Sequence, residues 1–180
     1  MIAISPSKTK YRRELGYAES NLCSIALRQP YDRSGAMQHC ATALAVTKAA
    51  ASHPDGESYN PDTRKSIDSD VMNCFGNMAD AYKISGAMAK ALAERQIELA
   101  ILNRQLAADP NNMDLKDTWI ALQIAFAELY RDSGRDDVAR TTLANAFISA
   151  DALHRFDPNN RRSKQQRDYI ANELKEWRSQ

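Results

Sequence analysis

The chain has 180 residues, 43% apolar and 26% charged, which is enough to bury a core beneath an ordinary solvated surface. Six glycines and six prolines exclude collagen-like, linker-like and low-complexity material. With 24 Lys+Arg against 23 Asp+Glu the formal charge is +1, so no global field draws the chain onto nucleic acid or anionic lipid.

The first ten residues, MIAISPSKTK, read as a leader, with too few apolar residues for a secretory signal. Helical periodicity follows, with no sustained period-two alternation anywhere. A first pair is expected at about 9–29 and 32–52, divided by Pro30 and rich in alanine from Ala41 to Ala51. Residues His53 to Asp62 carry the richest turn composition. A second pair, about 63–85 and 87–108, is divided by Gly86, and its second helix carries a stripe of Leu92, Gln96, Leu99, Leu102 and Leu106. Asp109-Pro110-Asn111-Asn112 then makes a pivot, because proline cannot continue a helix and asparagine tolerates left-handed geometry. A third pair, about 114–132 and 136–155, is divided by Gly134, with Trp119, Leu122, Phe126 and Leu129 along one face. After Asp157-Pro158-Asn159-Asn160 a seventh helix at about 163–178 carries Tyr169, Ile170, Leu174 and Trp177 as a single apolar stripe, the pattern of an element that caps an exposed end.

These landmarks repeat. Asp109-Pro110-Asn111-Asn112 recurs 48 residues later, and the same offset carries Tyr82 onto Tyr130, Ser85-Gly86 onto Ser133-Gly134, Ala79 onto Ala127 and Ala91 onto Ala139. A more worn copy lies 56 residues upstream of the second, with Pro54 on Pro110, Leu22 on Met78, Gly35 on Ala91 and His39 on Arg95. Each pair has apolar residues on more than one face, so it must lean on a neighbour to bury them.

With Phe75, Met78, Ala79, Tyr82, Ala91 and Pro110 in the second copy, and Phe126, Ala127, Tyr130, Ala139, Leu143 and Pro158 in the third, the chain resembles the tetratricopeptide repeat (TPR) family. Both copies have 24 residues from the turn glycine to the proline, and Tyr11-Arg12-Arg13-Glu14-Leu15 resembles an opening found in long-repeat bacterial arrays. The resemblance implies one all-α domain over residues 1–180, a right-handed α-solenoid of three pairs (about 9–54, 63–110 and 114–158) with a capping helix at about 163–178. It further implies a non-catalytic scaffold that takes a peptide or helix of a partner along its concave face. Transferred residue by residue, that face holds Tyr17, Ser20, Ser24 and Arg28, then Asn73, Asp80 and Lys83, then Ile124, Glu128 and Arg131. The Lys and Asn that clamp a chaperone's C-terminal carboxylate are missing, and Asp80 and Glu128 favour a ligand bearing Lys or Arg.

Catalytic signatures are sparse. His39, His53 and His154 are scattered; no metal-binding His-Glu-x-x-His, nucleophile elbow or phosphate loop occurs, so neither enzyme activity, a metal nor a cofactor is expected. Asp68, Asp70, Asp136 and Asp137 are expected near helix starts, where negative charge compensates the dipole. Arg155, Arg161, Arg162, Lys164 and Arg167 are interleaved with Asp151, Asp157 and Asp168, the pattern of a solvated turn rather than a nucleic-acid site. Cys23, Cys40 and Cys74 are an odd set without C-x-x-C spacing, expected as small buried hydrophobes in a reducing, cytoplasmic setting. No run reaches the roughly 18 apolar residues that cross a bilayer. The alternatives to a scaffold are a homodimeric self-association module and a regulatory arm of a larger signalling protein.

Overall fold

The computed structural model describes residues 9–29, 32–52 and 61–176. Among them are seven helices and no strand: α1 (Thr9–Arg28), α2 (Arg33–Ser52), α3 (Pro61–Ile84), α4 (Met88–Ala108), α5 (Met113–Asp132), α6 (Asp136–Phe156) and α7 (Arg161–Glu176). Pro30, Pro54, His53 and Trp177 lie outside the described residues. Pro61, expected inside the turn, instead opens α3, where its missing N–H leaves no hydrogen bond unmade.

The chain divides into two compact units, Met1–Ile101 and Leu102–Gln180, with the boundary inside α4. In the first, α2 packs against both α1 and α3, and α1 also touches α3. Small residues make this close approach possible: Ala36, Cys40, Ala43, Thr47 and Ala50 form the buried face of α2. Cys23, Cys40, Met78 and Ala81 centre one core cluster, flanked by Leu27, Met37, Leu44 and Tyr82. In the second unit α6 packs against α5 and α7, and α5 also touches α7. Its core joins Ile120, Ala127, Ala139, Leu143, Ala146, Ala150, Leu153 and Ile170. Of the stripe expected on the last helix, Ile170 is fully buried and Leu174 packs on this core, while Tyr169 sits at the rim, 40% exposed.

The repeat extends to atomic detail. After α3, Gly86 has φ +81°, and the amides of Gly86 and Ala87 donate to the carbonyls of Lys83 and Tyr82. After α5, Gly134 has φ +70°, and Gly134 and Arg135 donate to Arg131 and Tyr130. Both are the same glycine-closed helix end, at a conformation other residues seldom adopt. The two Asp-Pro-Asn-Asn turns also match, though not through left-handed asparagines, since no described non-glycine residue has positive φ. The last asparagine is instead a helix N-cap: Asn112 Oδ1 accepts from the Leu115 amide at 3.1 Å, and Asn160 Oδ1 from the Ser163 amide at 3.2 Å.

The first hairpin departs from the pattern at its connection. Four residues, 29–32, join α1 to α2, where three (85–87 and 133–135) serve the later hairpins. In this longer turn Asp32 accepts from the Gly35 amide at 2.8 Å, and a Cβ on Gly35 would lie 2.3 Å from that carboxylate. The extra residue shifts the register of α2 by one. Its buried Ala36, Cys40, Ala43 and Thr47 correspond to Ala91, Arg95, Glu98 and Leu102 of α4 and to Ala139, Leu143, Ala146 and Ala150 of α6. Cys40, not His39, is therefore the counterpart of Arg95, and Ala36 replaces Gly35 opposite Ala91.

Two other expectations are corrected. Cys23 and Cys40 are buried but form a disulfide, with Cα atoms 4.9 Å apart, leaving only Cys74 as a free thiol. Asp68 and Asp70 lie well inside α3 and act through side chains, Asp68 on Arg64 at 3.3 Å and Asp70 on Arg13 and Tyr17. Asp136 and Asp137 do occupy the first turn of α6.

Candidate functional site

In the first unit, Tyr17, Ser20 and Asn73 come together around a shallow concavity between α1 and α3. Arg13 organises it, its Nη2 donating to Tyr17 Oη (2.8 Å), Ser66 Oγ (2.8 Å) and Asp70 Oδ2 (3.2 Å), while the Tyr17 hydroxyl donates to Asp70 at 2.9 Å. Partial burial works against the Arg13 charge, but Tyr17 and Asp70 outweigh it and the guanidinium is held more firmly protonated than usual. Ser20 Oγ accepts from Asn77 at 3.2 Å, and Ser24 Oγ donates to the Ser20 carbonyl at 2.9 Å. Arg28 is exposed in the last turn of α1, and Lys83 is half-buried in the last turn of α3. Cys74 borders the same concavity and donates to Thr47 Oγ1 at 3.5 Å; burial pushes its thiol up, away from reactive thiolate.

Asp80, its side chain 47% exposed, is not a free acidic contact. It pairs with Arg95 of α4, which also holds Glu98 at 2.7 Å. Arg95 and Glu98 occupy the buried face of α4, whereas Gln96 of the expected Leu92–Leu106 stripe is exposed. Gly76 makes room for them, since a Cβ there would lie 2.8 Å from Glu98 Oε1 and 3.0 Å from Arg95 Nη1.

In the second unit, Ile124, Glu128 and Arg131 line one crevice with Tyr169 and Glu173 of α7. Arg131 pairs with Glu173 at 2.8 Å, and the Tyr169 hydroxyl donates to Glu128 at 3.3 Å. Of the polar side chains expected to greet a partner, Tyr17, Ser20, Ser24, Asp80, Glu128 and Arg131 are thus engaged within their own units, whereas Arg28 and Asn73 are exposed. Within the basic cluster, Arg155 pairs with Asp151 at 2.6 Å and Arg167 with Asp168 at 2.7 Å, while Arg161, Arg162 and Lys164 are exposed.

An open cavity of about 690 Å³ lies elsewhere, within the second unit. Its walls are the end of α4 (Leu106), the first half of α5 (Met113, Trp119, Ile120) and the last turns of α6 (Leu153, Phe156), with Asn111, Lys116 and Ser149 as the polar contributors. Phe156 is 73% exposed, an aromatic held in water by the short turn that follows it. Periodicity assigned Trp119 to a core stripe with Leu122, Phe126 and Leu129. In the folded unit Leu122, Phe126 and Leu129 are buried, whereas Trp119 is only partly buried and turns one wall to the cavity. The available sequence signal was Phe156 itself, an aromatic one residue ahead of Asp157-Pro158.

Among the described residues no group of three or more His, Cys, Asp or Glu could hold a metal ion, and no helix is long and apolar enough to cross a membrane. The chain matches no protein-family model, and no curated protein or solved structure shows significant similarity to it.

Proposed function

We propose that the chain is a non-catalytic protein–protein interaction scaffold of TPR-like helix pairs arranged as a right-handed solenoid, which binds a peptide or helical segment of a partner. Support for the arrangement comes from the recurrence of glycine ends, asparagine caps and buried positions from pair to pair. The observation that carries the function is the open apolar cavity walled by Met113, Trp119 and Phe156. Its size and lining suit one or two large apolar side chains, the kind of anchor that dominates helix and peptide recognition. Lys116 at its edge favours an acidic residue beside that anchor. This revises the preference for a basic ligand, because Asp80 and Glu128 already face Arg95 and the Tyr169 hydroxyl. The Cys23–Cys40 bridge likewise removes the support that unpaired cysteines gave to a cytoplasmic setting.

Affinity capture with three baits tests the proposal: the natural chain, Ala152→Glu, and Asp80→Lys/Glu128→Lys. Ala152 lines the cavity and is exposed, so glutamate there blocks the site without disturbing the core. Partners lost with Ala152→Glu and kept with the double variant are the expected result. Loss with the double variant alone, its helical circular dichroism and unfolding midpoint unchanged, returns the site to the polar face.

A further inference from the structure

A second apolar surface lies apart from the cavity. On α1, Leu15, Leu22 and Ile25 are 49%, 44% and 55% exposed, and Ala18 between them is exposed as well. Spacings of three, four and three residues put all four on one stripe, away from Gly16 and Cys23, which are buried. A helical stripe of three half-exposed large apolar residues is a surface that water disfavours and a matching stripe would cover.

We propose that this stripe pairs with the same stripe of a second copy, antiparallel about a two-fold axis. The spacing is palindromic, so reversing direction sets Leu15 against Ile25 of the second copy and Ala18 against its Leu22. Every apolar side chain then meets another, with a small residue opposite a large one, and the match is repeated by symmetry. Charge fixes the occupant and its direction. Glu14, Asn21 and Arg28 run along one flank of the stripe, one heptad apart and all exposed. Antiparallel pairing sets Glu14 beside the second copy's Arg28 on both sides of the axis and brings the two Asn21 together. Parallel pairing would leave Glu14 and Arg28 each without an opposite charge from the second copy. The four apolar residues per side fall short of the roughly 800 Å² per partner of a standard interface, so the dimer forms with rising concentration rather than obligately.

Sedimentation equilibrium of the full chain over a wide concentration range tests this. The weight-average mass should climb from 20.1 kDa toward twice that value. Leu22→Glu should hold it at the monomer with unchanged helical circular dichroism, because Leu22 is exposed. Glu14→Arg and Arg28→Glu should each weaken association about fivefold, the effect of two exposed ion pairs, and the double variant should restore it. A monomer at every concentration, association that survives Leu22→Glu, or a double variant as weak as the singles would each overturn the proposal.

Discussion

Among the described residues of the first unit, Arg95 and Glu98 are the buried charged pair. Both side chains are about nine-tenths buried, and their charges are tolerable only because each faces the other, with Asp80 completing the set. Burial raises the Glu98 carboxyl above its ordinary range even though Arg95 pulls it down, as expected of a pair held in poor solvent. Arg95→Ala strands a buried carboxylate and should lower unfolding free energy by about 3 kcal/mol in urea titration, whereas Arg95→Leu/Glu98→Leu should cost clearly less. Equal losses would mean that packing, not the pair, matters. Asp117 offers a pH test. It is 2% exposed, its carboxylate accepts only from Asn160 at 3.4 Å through one oxygen, and burial raises its pKa despite Arg162 nearby. The folded state therefore holds its proton over a window where the unfolded chain has lost it, so this site favours folding more as pH falls through that window toward about 4 and opposes it above. Asp117→Asn should gain stability over the natural chain at pH 7 and lose that advantage at pH 4; a pH-independent difference would rule the site out.

Scaled up to helices, one repeat position has three solutions. Where α6 uses Leu143 and α4 uses Arg95, α2 uses Cys40, bonded to Cys23 on α1. The companion site on the facing helix adjusts with it: Gly76 on α3 admits the Arg95–Glu98 pair, and Ile124 on α5 accompanies Leu143. The bridge closes a loop of sequence separation 17, so Cys23→Ser/Cys40→Ser should cost about 3 kcal/mol, matched by adding reductant to the natural chain. No change on reduction would show the bridge to be dispensable. The seven helices were legible because Gly86, Gly134 and the two Asp-Pro-Asn-Asn turns punctuate them through local geometry. What was hidden depends on neighbours brought together by folding. A one-residue lengthening at 29–32 moved Cys40 onto the face where it meets Cys23, and no spacing of cysteines along the chain foretells that. The buried Arg95–Glu98 pair is not legible along α4, because Asp80, which completes it, and Gly76, which makes room for it, lie a helix away.

For the molecule as a whole, the distribution of satisfied and unsatisfied surface decides where binding energy is available. Of the expected polar face, Tyr17, Ser20 and Asn73 line one concavity in the first unit and Ile124, Glu128 and Arg131 line another in the second. Among its charges, however, Asp80 is already paired with Arg95 and Arg131 with Glu173, and Arg13–Asp70 is paired beside it. Displacing such pairs gives a partner little net gain, while filling an apolar cavity releases water from Trp119, Met113 and Phe156. The cavity escaped the sequence because its walls come from three helices whose individual apolar residues resemble ordinary core. Hydrogen exchange of the chain with and without the partner it captures is the most direct test. Protection should appear at 113–120 and 149–156 and not at 17–28; protection at 17–28 and 124–131 with none around the cavity would contradict it.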